Sequence, residues 1–195
     1  MIKKFIITTT IAFLVSGCTS QKIYIDNVNI TTKPLKSHTF ASTKLTATPK
    51  VSKLIYKIDN MQKSNSINLN LNATQNIRIG SLLDITAKPT TSGYLKILVV
   101  EPNGKLALVV PNFTHNGYIK AYQSFYVNKN KRFKLRTTNP KGLHYIVAIF
   151  TQDLIPKQVY KKMDSTHYNL INILQDINSQ RYGKSHISSF PIRIY

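Results

Sequence analysis

The sequence predicts a mainly β protein, an antiparallel sandwich or barrel with a helical segment inserted before its last strand. Three observations predict this class. Ile67, Leu69 and Leu71 alternate with Asn68, Asn70 and Asn72, the period of a strand with one buried face. Short apolar runs then recur, separated by turn chemistry at Ser92-Gly93, Pro102-Asn103-Gly104, Asn116-Gly117 and Pro140-Lys141-Gly142. Finally, 157–181 contains neither Gly nor Pro, and Leu170, Ile171, Leu174 and Ile177 share one helical face.

In chain order, residues 1–17 have the build of a secretory signal peptide: Lys3 and Lys4, then an apolar run over 5–15, then the small residues of Val15-Ser16-Gly17-Cys18. That run is shorter than the roughly 20 residues of a spanning helix. Residues 18–66 read as a Thr/Lys/Pro-rich tether, because 31–53 is too polar to offset its ordering entropy by burial. Short strands are expected within it at 23–30 and 54–58.

The β domain is expected over 67–155, with strands at 67–71, 77–79, 83–88, 94–100, 105–110, 124–127, 132–136 and 144–150. The stretches 95–100 and 145–150 are apolar on nearly every residue, which marks them as the central strands. A helical segment, one broken helix or two short ones, fills 156–183; Asp164-Ser165-Thr166 supplies a cap at its second start and Gly183 a stop. Residues 184–195 form a closing strand that Pro191 places at an edge.

The chain has 195 residues, 27 Lys and Arg against 7 Asp and Glu, and a formal charge of +20. Glu101 is its only Glu. A single Cys, Cys18, excludes an internal disulfide and a Cys-based zinc site. The histidines His38, His115, His144, His167 and His186 lack metal-ligand spacing, and no Gly-rich phosphate loop, GxSxG or HExxH motif is present. No catalytic residue, metal or diffusible cofactor is therefore assigned, and a periplasmic hydrolase is a low-weight alternative.

The densest positive charge lies at 129–136. If 132–136 is a strand, Arg132, Lys134 and Arg136 share one face about 13 Å long, suited to successive charges on a linear polyanion. The plainer reading of that face is ordinary solvated charge. Tyr118, Tyr122 and Tyr126 lie nearby; stacking on a base or sugar is one use for them, and core or edge packing is the expected one.

The stretch ending in Cys18 resembles a bacterial lipobox, which implies cleavage before Cys18, diacylation of its thiol and acylation of the new amine. A multiply acylated cysteine anchors firmly to a membrane. Thr19, in place of Asp, implies sorting to the outer membrane in enteric-type bacteria.

Gly93-Tyr94-Leu95, Pro102-Asn103-Gly104-Lys105 and Pro111-Asn112 resemble the signature of a domain of unknown function common in bacterial envelope proteins. The likeness extends through Ile119-Lys120-Ala121, Phe133-Lys134-Leu135, Pro140-Lys141-Gly142 and Ile146-Val147-Ala148. Val109-Val110 replace its usual Leu-Phe, and Tyr122 stands where the family has Gly. The resemblance implies an immunoglobulin-like sandwich and an accessory role.

The expected function is thus that of a non-enzymatic, membrane-anchored envelope lipoprotein, an accessory or adaptor module docking an acidic envelope component, with an envelope protein or an acidic glycan as expected partner, from the outer membrane, facing periplasm or surface. The alternative is binding of lipopolysaccharide, wall polymer or DNA through Arg132, Lys134 and Arg136, with nucleic acid the less favoured partner.

Overall fold

Residues 47–61 and 67–195 are described by the computed structural model. The expected signal peptide, Cys18, the strand expected at 23–30 and most of the expected tether lie outside them.

The first element corrects the sequence reading. Helix α1 spans Pro49–Met61 and replaces both the end of the tether and the strand expected at 54–58. Val51, Leu54, Ile55 and Ile58 are spaced i, i+3, i+4, i+7, and all four are buried. A period of 3.6 over two turns outweighs a short apolar run that taken alone resembles a strand.

Among the described residues nine strands follow: β1 (Leu69–Ala73), β2 (Asn76–Ile77), β3 (Ile85–Pro89), β4 (Gly93–Val100), β5 (Leu106–Val110), β6 (Tyr118–Ile119), β7 (Phe125–Tyr126), β8 (Gly142–Thr151) and β9 (Ser185–Ile194). One sheet has the order β1-β3-β7. The other runs β2-β9-β8-β4-β5, with β6 also on β4. Pairing is antiparallel except between β2 and β9.

Two apolar layers hold the fold. Leu69, Ile85, Ala87 and Phe125 of the small sheet meet Leu95, Ile97, Ile146, Ala148 and Ile192 of the large one. On the other face of the large sheet, Leu98, Val100, Val147, Ile149 and Ile187 pack against α1 and the later helices. The central strands β4 and β8 are apolar on both faces because both are covered.

Helices α2 (Lys157–Tyr160) and α3 (His167–Asn178) realise the expected insertion before the last strand. Thr166 caps α3 by accepting from the Asn169 N–H at 3.0 Å. The helix stops earlier than Gly183 suggests: Gln180 takes the left-handed position at φ 63°.

Strand β9 is not the sheet's edge, yet Pro191 is accommodated for the expected reason. Arg193 and Tyr195 donate outward to the Gln75 and Ile77 carbonyls. By strand parity the Pro191 nitrogen also faces outward, beyond the end of β2, where no ladder bond is lost.

Candidate functional site

Of the site residues expected from sequence, Cys18 lies outside the described residues. Arg132, Lys134 and Arg136 do not lie on a strand. Their segment follows β7 as irregular chain, with one isolated bridge between Arg136 and Leu82. Backbone hydrogen bonds around that bridge tie the end of the segment to 80–83, with the Leu83 N–H donating to the Leu135 carbonyl and the Thr137 N–H to the Ser81 carbonyl, and the Asn128 side chain adds to them. Its oxygen accepts from the Leu135 N–H at 2.7 Å, while its amide donates to the Leu83 carbonyl and the Asp84 carboxylate.

Alternation nevertheless survives in this arm. Phe133 and Leu135 pack against the sandwich core, and the three cations are exposed. Two of them are drawn back to the protein: Lys134 Nζ donates to the Asn128 carbonyl at 2.7 Å and Arg136 to the Gly80 carbonyl at 2.8 Å. A neutral carbonyl leaves their charge uncompensated, so the arm is a cationic ridge rather than an evenly spaced stripe.

Beside this arm lies a cleft of about 310 Å³ between the 112–119 loop and 123–130. Its floor carries Ile119, Phe125 and Val127; its rim carries Tyr118, Tyr126, Gln123 and Lys129. Tyr118, Tyr122 and Tyr126 are 42%, 68% and 48% exposed, and Tyr118 packs at the edge against Tyr94, ring centroids 5.3 Å apart. Phe113 meets Phe133 edge-on at 5.9 Å, joining the cleft's loop to the cationic arm.

The loop is built by Asn112. Its side-chain oxygen accepts from the Thr114 N–H, the Thr114 hydroxyl and the His115 N–H, and its amide donates to the Val109 carbonyl. This Asx turn presents His115, whose ring leans on Phe125 at 4.5 Å. The Gly117 N–H donates to His115 Nδ1 at 2.9 Å, so the neutral ring carries its proton on Nε2. Burial pushes the His115 pKa down and favours that neutral form. Gly117 is at φ 90°, and a Cβ there would meet the Leu95 carbonyl, so the turn requires glycine.

The other described histidines are tied to the backbone. His144 Nδ1 donates to Gly142, His167 Nε2 to Gly104 and His186 Nδ1 to Ile67. Burial lowers the pKa of His144 and His186. Among the described residues no three of His, Cys, Asp and Glu are grouped as a metal site would need. No described helix is long and apolar enough to cross a membrane.

Sequence reasoning missed the cleft and also Lys96. The cleft's elements are distant in sequence, and only the turn at Asn116-Gly117 hinted at its geometry. Lys96 was legible as a cation inside an apolar strand. It is 1% exposed on the helix-facing side of β4, its ammonium without a hydrogen-bond partner among the described residues and near the Tyr94 and Tyr160 rings.

Among curated proteins none matches the chain. Solved structures give distant likenesses. The sulfur carrier protein SoxY from Chlorobium limicola f thiosulfatophilum is 11% identical, with 74% of this chain and 98% of that one covered at a TM-score of 0.34. A superoxide reductase (neelaredoxin) from Ignicoccus hospitalis is 9% identical, with 66% and 82% covered at 0.33. The CARDB domain of the PF1109 protein from Pyrococcus furiosus is 9% identical, with 68% and 90% covered at 0.30. Residues 76–153, which carry β2 through β8, the cleft and the cationic arm, match the family model of a domain of unknown function, DUF4384.

Proposed function

We propose that this protein is a lipid-anchored accessory module of a bacterial envelope, held at a membrane through Cys18, that docks an acidic envelope component without chemistry of its own. The observation that carries the reading is the continuity of the cationic arm at Arg132, Lys134 and Arg136 with a cleft rimmed by exposed tyrosines and Lys129. Cleavage before Cys18 removes Lys3 and Lys4 and leaves 25 Lys and Arg against 7 acids, a formal charge of +18 that draws such a ligand in from a distance and is screened by salt. The signal-like 1–17 stretch and the lone cysteine after it support the anchor.

Two measurements test the parts separately. Metabolic labelling with a palmitate analogue is expected to mark the wild type and not Cys18→Ser; label that survives the substitution removes the anchor. Affinity for anionic envelope polymers is expected to fall steeply with salt and with joint replacement of Arg132, Lys134 and Arg136 by Ser. Affinity indifferent to both removes the docking role of the arm.

A further inference from the structure

We propose that the cleft beside the cationic arm is a saccharide subsite, which takes a sugar unit or a pair of units from an acidic glycan whose carboxylates lie along the arm. The proposal rests on the docking reading above and adds the ligand's chemical class. Three features of the cleft carry it.

Its volume, about 310 Å³, falls at the lower end of small-ligand sites, about 300–1,000 Å³. That is room for sugar rings and not for a folded surface. Its walls combine an apolar floor with the half-exposed rings of Tyr118, tilted against Tyr94, and Tyr126, aromatic surface of the kind against which the C–H face of a pyranose packs.

Its polar groups suit hydroxyls. His115 offers a directional donor, because the Gly117 N–H occupies Nδ1 and leaves the proton on Nε2. The exposed Gln123 and Ser124 bring an amide and a hydroxyl, each able both to donate and to accept.

A single-stranded nucleic acid is the competing occupant, since aromatic faces also stack bases. Such sites run cations along the groove itself to follow the phosphates. Among the described residues Lys129 is the only Lys or Arg lining the cleft, and Arg132, Lys134 and Arg136 stand on the arm beyond it. Charge sits next to the cleft and hydroxyl-reading groups sit within it, the arrangement a glycan with acidic substituents requires.

The test titrates the full-length chain, held in detergent, with a short oligogalacturonate at low and at high salt. At about 1 M salt the Debye length is about 3 Å, so the contribution of the arm is screened and that of the cleft remains. Part of the affinity is expected to survive high salt. That part should fall by about tenfold or more when Tyr126 and Gln123 both become Ala, as the loss of one stacking contact implies. Both residues are exposed, so the variant keeps its fold, which urea denaturation verifies. Replacing Arg132, Lys134 and Arg136 by Ser should weaken binding at low salt alone.

Binding that vanishes at high salt and ignores the Tyr126 and Gln123 substitutions overturns the subsite and leaves the docking role intact. Absence of binding at either salt overturns both. An oligothymidylate of equal charge that displaces the oligogalacturonate at high salt overturns the saccharide class in favour of nucleic acid.

Discussion

The ammonium of Lys96 lies 5.3 Å from the centroid of the Tyr94 ring and 5.9 Å from that of Tyr160. Among the described residues it has no hydrogen-bond partner. Burial pushes its pKa from 10.5 down to about 8. The tyrosine faces offset part of the desolvation cost, at about 1–2 kcal/mol for a desolvated cation. The displacement of the pKa corresponds to roughly 3 kcal/mol against the charged form. Desolvation therefore wins. Lys96→Met, which keeps the length and removes the charge, is expected to raise stability at neutral pH by about 1–2 kcal/mol, less the lost ring contacts. The urea midpoint measures it, and a midpoint that falls refutes the balance drawn here.

The same lysine sets a pH dependence. Between about pH 8 and 10.5 the unfolded chain keeps this proton while the folded chain has begun to lose it. The unfolded state then binds more protons, so stability rises with pH across that window and is flat with respect to this group well below it. Tyr145, whose pKa burial and then Asp59 push up, acts in the opposite sense above pH 10. Urea midpoints between pH 7.5 and 10, compared for wild type and Lys96→Met, isolate the rise, which the variant should lack.

Tyr122 sits at φ 59°, the left-handed region that side chains disfavour, and its N–H donates to the Pro89 carbonyl at 2.8 Å. Its ring is 68% exposed and contributes little packing. Relief of a left-handed non-glycine residue is worth about 1–2 kcal/mol, less the added freedom of an unfolded glycine. Tyr122→Gly is therefore expected to stabilise by about 0.5–1 kcal/mol, read as a rise in Tm. A loss of more than that amount would show the ring to be a packing group.

Thr166 holds the start of α3 through one hydrogen bond to Asn169 N–H. Thr166→Ala is expected to cost about 1 kcal/mol, and Thr166→Asp to retain most of the stability. Helix α3 buries Leu170, Leu174 and Ile177 completely, so its packing outweighs its cap and the variant stays folded. Chemical denaturation of the three chains gives the order.

Asn128 adds three side-chain hydrogen bonds where the arm has only an isolated bridge. Asn128→Ala leaves the Leu135 N–H and the Leu83 carbonyl without that partner, at a cost of about 1–3 kcal/mol. Amide exchange over 129–136 should accelerate more than exchange in β8, because the arm has no ladder of its own. Equal acceleration in both would mean that Asn128 supports the whole sandwich.

By itself the sequence determined what depends on neighbours along the chain. A period of two marked the strand at Leu69, nearly continuous apolar runs marked β4 and β8 as the central strands, and the spacing Leu170, Ile171, Leu174, Ile177 marked α3. Those patterns report burial of the residues that form them. The tertiary structure decided what depends on partners far away. It decided that Leu54 and Ile55 cover the large sheet from a helix. It also decided that the arm of Arg132, Lys134 and Arg136 lacks a strand to pair with, and that His115, Tyr118 and Tyr126 share a cleft. The physical reason is the same throughout: a strand needs a neighbour's hydrogen bonds and a cleft needs walls from separate loops. Neither is encoded in the period of one segment.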